Sequence, residues 1–186
     1  MNTKISIISN SKMSEYLNEQ LAMENALADR LVTRIQETSI PDLKQHLEQN
    51  LRKTMTHQER MYQLITNLGG KPTDSKADLP QLNQSYKNLI QELKSRVETL
   101  AIDHDKESIK SAENEMHKFK EDVIIEKAGV ISYKILLRLA EQANIQYAID
   151  TLKENLEEER SMSDWITDNA SAMIDELWSR LLSAQE

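Results

Sequence analysis

A chain of 186 residues is long enough for one domain with a real core, and its lack of cysteine excludes disulfides, thiolate zinc sites and thiol catalysis. A net charge of −8 argues against general nucleic-acid binding, because phosphate recognition needs a positive surface. Three glycines and three prolines are the only strong helix breakers in a composition led by helix formers, so the expected fold class is all-α. No apolar run approaches the roughly 20 residues that span a bilayer. The opening MNTKISIISN has too short an apolar stretch for a secretory signal, so a cytoplasmic protein without membrane or nucleic-acid partners is expected.

Residues 1–10 are expected to form a loose arm. A helix over about Ser11–Thr38 then carries the apolar stripe Met13, Leu17, Leu21, Ala28, Leu31 and Ile35. Pro41 suits the first turn of a second helix, about Pro41–Leu68, with Leu43, Leu47, Leu51, Met61 and Leu64 inward and Gly69 as its C-terminal cap. A loop, GGKPTDSKADLP, leads to a shorter helix over about Pro80–Leu100, and AIDHDKES bends the chain. The next long helix, about Lys106–Ala143, carries Met116, Phe119, Val123, Val130, Tyr133, Leu137 and Ala140. The last long helix, about Asn144–Thr167, carries Ile149, Leu152, Leu156 and Ile166. An amphipathic segment, AMIDELWSRLL, closes the chain. Short links favour antiparallel neighbours, and a long crossover at about 69–105 lets the second pair lie beside the first. The pattern is an antiparallel four-helix bundle over 11–168, with a C-terminal helix over 169–186.

The stripes have polar gaps. Glu24 interrupts the first helix, Glu126 the third long helix and Glu159 the fourth, while the second contributes Thr54 and His57. A carboxylate is costly to bury without a partner, and three together repel one another unless a cation or a proton intervenes. Metal ligation satisfies such a group, and bundles build metal sites in this way. Oxygen and imidazole donors suit iron, manganese or zinc. A neutral structural network with Lys127 or water is the alternative.

Several stretches carry a resemblance. YLNEQLAMENAL, THQERMYQLITNLGGKP, IIEKAGVISYKILLRLAEQ and LEEERSMSDWI resemble the bundle helices of the ferritin-like superfamily. Within it the chain looks most similar to the YciF-type stress-protein family, a domain of unknown function. The resemblance covers about Leu17–Thr167 and implies a ferritin-like bundle with a di-iron site. That site takes one Glu from each of two helices and a Glu-x-x-His from each of the other two. By this resemblance Glu24 and Glu126 match the single glutamates, His57 the second-helix histidine and Glu159 the last-helix glutamate. Thr54 stands where one glutamate belongs, and Met162 where the other histidine belongs. EKAG also lacks the family's Glu-His-Tyr-Glu run, and Arg52 and Lys53 replace residues that are often acidic.

These departures leave Glu24, His57 and Glu159 for one ion, while Glu126 with Glu159 would hold a second weakly. Thioether sulfur is a poor ligand for ferric iron. Two-electron ferroxidase chemistry needs two ions about 3.5 to 4 Å apart and is not favoured. Two readings stand: a ferritin-like protein with a reduced metal site, in metal handling or oxidative stress, and a metal-free structural or interaction module. Tyr133 is a candidate hydrogen-bond donor to the site, and Gly129 a position of close helix approach. Trp165 is expected to pack, and Trp178, Leu177, Leu181 and Leu182 to cover a bundle end or a partner. His46, and His104 and His117 with their acidic neighbours, read as solvated helix faces. A homo-oligomer, specifically a dimer, is expected.

Overall fold

Residues 1–40 contain neither Gly nor Pro, so nothing local stops a helix there once it has nucleated. The computed structural model accordingly has one helix, α1, over Thr3–Glu37, starting inside the stretch expected to be a loose arm. It describes residues 3–80, 88 and 106–183. The expected helix over Pro80–Leu100 and the His104 motif therefore lie largely or wholly outside the described residues.

Helix α2 spans Pro41–Asn67, with Pro41 in its first turn and Asp42 beside the positive helix end. Its C-terminus closes at Gly69, which has φ +81°. Gly69 N–H donates to Thr66 O and Gly70 N–H to Ile65 O, each at 2.9 Å, so the last turn's carbonyls are satisfied. Helix α3 spans Lys106–Ala143 and ends in the same way at Asn144, with φ 55°. There Asn144 N–H bonds Glu141 O and Ile145 N–H bonds Ala140 O, both at 3.1 Å. Asparagine tolerates this left-handed geometry better than most non-glycine residues. Helix α4, Gln146–Asp168, and helix α5, Ala170–Ser183, complete the described elements. None of the described helices is long and apolar enough to cross a membrane.

The chain divides into two compact units, Met1–Leu79 with Glu126–Trp165, and Pro80–Ile125 with Ile166–Glu186. In the first, side-chain pairs fix the helix directions. Gln58 bonds Asn25, and Gly70 lies against Ser14, so α2 runs antiparallel to α1. Asn155 bonds Tyr133 and Lys127 bonds the Ser163 carbonyl, so α4 runs antiparallel to α3. Asn50 bonds Glu126, and the His57 ring meets Tyr133, so α2 and α3 are parallel. This is the up-down-down-up order of a ferritin-like bundle, and only a long return between α2 and α3 allows it. The start of that return lies along α1. Asn18 accepts from Thr73 N–H at 2.8 Å, Asn25 donates to Ser75 O at 3.0 Å, and Ala77 N–H donates to Ala22 O at 2.9 Å.

One end of this unit has an apolar core built from Leu17, Leu21, Met61, Ile65, Tyr133, Ala140, Leu152 and Leu156, among others. Each buried leucine contributes about 1.5 to 3 kcal/mol. The α2 stripe then turns polar, through buried His57, Thr54, Asn50 and His46. In the second unit, Ala112, Phe119, Met173 and Leu177 are buried, while Trp178 and Leu182 on α5 are exposed.

Candidate metal centre

Near the middle of the bundle, α1, α2 and α4 each turn one polar side chain inward. Glu24, His57 and Glu159 are all buried, and one donor atom from each lies within 4.8 Å of the others. No other group of three potential ligands of this kind occurs among the described residues, so His117 and its acidic neighbours form none.

The hydrogen bonds orient the donors. Tyr133 Oη donates to Glu24 Oε1 at 2.6 Å, and Gln20 Nε2 donates to the same oxygen at 2.8 Å. Glu24 Oε2 is buried and has no hydrogen bond among the described residues. His57 Nε2 lies 2.8 Å from Glu158 Oε2. A carboxylate only accepts, so this bond places the proton on Nε2 and leaves Nδ1 as the inward lone pair of the neutral ring. Nδ1 is buried, makes no hydrogen bond, and stands 3.5 Å from Glu159 Oε1 and 3.9 Å from Glu24 Oε2. Three acceptor atoms therefore face one another in a water-poor core, and a positive charge among them relieves the repulsion.

Without a metal, that charge is a proton. Burial, and then the Glu159 charge, push the Glu24 carboxyl up from 4.5 to about 7. Burial alone would lower the His57 pKa, but Glu159, Glu24 and Glu158 outweigh it and raise it. Burial, with Glu24 and Glu159, also holds the Tyr133 phenol well above its ordinary value, so it stays a donor.

A metal fits the same atoms. Ligands at about 2.1 Å on opposite sides of an ion are about 4.2 Å apart, so modest side-chain closure completes the site. Glu158 would then serve as the outer carboxylate that orients the histidine. Arg60 Nη1 holds Glu158 in turn at 2.8 Å, and also bonds Asn155 Oδ1 at 2.8 Å. Burial would raise the Glu158 pKa, but His57 and Arg60 outweigh it and keep that carboxylate ionised.

Glu126 is buried but stands outside the three-residue group, and its Oε1 accepts from Asn50 Nδ2. Thr54 is fully buried and its hydroxyl has no partner among the described residues; Met162 is also buried. Gly129 does more than bring a helix close. A Cβ there would collide with Glu159 Oε2, so its bare backbone leaves the space that the carboxylate fills. Sequence reasoning does not find Glu158, Arg60, Gln20 or Asn155. Glu158 precedes Glu159 in a run of charges and lies off the apolar stripe, so no local signal separates it from a solvated neighbour.

An open cleft of about 380 Å³ lies beside α1 and α2, lined in part by Asn25 and Gln58, the chain neighbours of Glu24 and His57. His46, expected on a solvated face, is instead buried and stacked on Trp165, with ring centroids 3.9 Å apart. Burial, and then Lys53, lower its pKa to about 4. The unfolded histidine takes up its proton near pH 6.5 and the folded one only near 4. Stability is thus present in full above about pH 6.5 and lost as the pH falls towards 4, by up to about 3 kcal/mol. Urea unfolding of the wild type against His46→Phe, which keeps the stack, should show this gap opening between pH 6.5 and 4. A gap independent of pH would refute it.

Comparisons with known proteins agree with this architecture. The Escherichia coli stress protein YciF is 23% identical, with a TM-score of 0.61 over 94% of this chain and 99% of its own. A Xanthomonas campestris protein is 16% identical, with a TM-score of 0.65 over 92% and 97%. The bacterioferritin of Desulfovibrio desulfuricans, a protein with a diiron site, is 16% identical, with a TM-score of 0.64 over 96% and 90%. At these identities the likeness shows the fold, which is ferritin-like. No curated protein sequence matches the chain. The model of one family matches residues 12–178, nearly the whole chain, and by that match the chain belongs to the family described as Domain of unknown function (DUF892).

Proposed function

We propose that this protein is a ferritin-like metal-handling protein that holds one divalent cation, iron in the first instance, on Glu24, His57 and Glu159. The observation that carries this reading is the unpartnered His57 Nδ1 facing two buried carboxylates. Charge supports it. Two carboxylates and a divalent ion sum to zero, while the Glu158 charge is met separately by Arg60, which Glu154 also contacts. A trivalent ion would leave a net positive charge in the core, which is costly. The centre is therefore suited to holding Fe(II), Mn(II) or Zn(II) rather than to cycling iron through its ferric state. The likeness to a stress protein and to a diiron bacterioferritin supports a role in metal handling under oxidative stress.

Elemental analysis tests this directly, on protein purified without an affinity tag and reloaded with Fe(II), Mn(II) or Zn(II). About one equivalent is expected in the wild type and none in a Glu24→Ala/His57→Ala variant. Two equivalents with oxygen consumption would replace this reading with a ferroxidase. No bound metal, with equal or greater stability in the variant, would leave a metal-free structural or interaction module.

A further inference from the structure

Arginine can only donate hydrogen bonds, so an amide that meets it must turn its oxygen towards it. Arg60 lies on α2 one turn after His57 and is partly buried. A single nitrogen, Nη1, donates to two acceptors on α4, Glu158 Oε2 and Asn155 Oδ1, each at 2.8 Å. Its Nη2 donates to Glu154, so the guanidinium is held across α2 and α4. Two arms run inward from Nη1. The short arm ends on His57, whose Nε2 lies 2.8 Å from Glu158 Oε2. The long arm ends on Glu24. With Asn155 Oδ1 turned to Arg60, the amide Nδ2 donates to Tyr133 Oη at 3.4 Å. Tyr133 then directs its one proton to Glu24 Oε1, at 2.6 Å.

Both arms leave a bare acceptor at the centre. Glu24 Oε1 takes the bonds from Tyr133 and Gln20, and Oε2 takes none. The proton on His57 Nε2 leaves Nδ1 bare, 3.9 Å from Glu24 Oε2. Asn155 and Tyr133 are fully buried, so water is a poor substitute for either bond. A reversed Asn155 amide would set N–H against the guanidinium and offer Tyr133 an oxygen, drawing the phenol proton away from Glu24. Arg60 forbids that reversal. We propose that Arg60 is the positioning residue of this centre: it holds Glu158 against His57 and, by fixing the Asn155 amide, turns the Tyr133 proton to Glu24, so that two ligands on different helices present lone pairs to one cation. This rests on the one-ion reading above, since it names what holds two of the three ligands in place.

Chelator competition for Zn(II) on the full-length, metal-stripped protein tests it, because bond direction and simple charge predict opposite signs. Arg60→Gln removes a positive charge near the cation, which by charge alone would tighten binding. Its amide can donate or accept and leaves Asn155 free to reverse, so binding should instead weaken about 10- to 100-fold. Arg60→Lys, again only a donor, should recover part of that loss. Asn155→Asp is nearly isosteric and adds a negative charge, yet it offers Tyr133 an acceptor in place of a donor. It should weaken binding about 10-fold as well. Circular dichroism and Tm check the fold, and Asn155→Asp carries the test if Arg60→Gln does not fold. Unchanged or tighter binding in Arg60→Gln or Asn155→Asp would overturn the role of Arg60 and leave the one-ion centre standing. No bound zinc in the wild type would overturn the metal reading and this inference together.

Discussion

Replacing His57 by alanine is expected to destabilise the metal-free protein by about 3 to 5 kcal/mol at neutral pH, the usual cost of removing one partner from a buried charged group. His57 is fully buried, and its raised pKa makes it the nearest source of positive charge for Glu24 and Glu159. Without the ring those two carboxylates face each other across a cavity, and one must take up a proton to remain inside. Glu158 loses one bond but keeps Arg60, so most of the loss arises inside the core rather than at its rim. For a chain of this size the Tm should fall by about 10 °C. His57→Gln, which refills part of the volume and restores a donor, should recover part of the stability but not the metal. Thermal unfolding followed by circular dichroism decides the matter. A loss below about 1 kcal/mol would mean that the carboxylates are already satisfied without the histidine.

The second large effect is expected at a residue with no side chain. Gly129→Ala should weaken metal binding about 10- to 100-fold, the range typical of disturbing the groups that orient ligands. The new Cβ would collide with Glu159 Oε2 and come within 3.1 Å of its Cδ. The carboxylate, as the end of a side chain, is what gives way. Two effects on stability oppose each other. Alanine is better than glycine in a helix by about 1 kcal/mol, and overpacking a core costs about 1 to 3 kcal/mol. Stability should therefore change little while affinity changes a great deal, which separates a damaged site from a damaged fold. Competition with a chelator for Mn(II) or Zn(II) gives the affinity, and urea unfolding the stability. Unchanged affinity would remove Glu159 from the ligand set.

These expectations rest on different levels of information. The helix stripes were legible because helical periodicity is local. Leu17 and Leu21, or Leu152 and Leu156, announce an inward face to anyone counting in steps of three and four. The gaps at Glu24, His57 and Glu159 were legible for the same reason, and the structure brings those three residues together. The composition also set the all-α class, and the Gly-Gly pair marked the end of α2, because a left-handed cap favours glycine. The same local reasoning failed at residues 3–10, where no breaker stops the helix. It failed again at His46, whose place on the buried face was read as a solvated one.

Which side chain meets which was decided only by the tertiary structure. Asn50 meets Glu126 and His57 meets Glu158 across 76 and 101 residues of chain, through the register in which the helices pack. That register is a property of whole helix faces, from the leucines of one end to the polar half of α2, and no short motif encodes it. Glu158 meets the His57 ring, Asn50 donates to Glu126, and the Glu159 carboxylate lies against the bare backbone of Gly129. The sequence by itself determined that polar groups enter the core of an all-helical bundle, because burial follows periodicity. The tertiary structure decided which of them share a charge, because that depends on distances of a few ångströms between helices far apart in the chain.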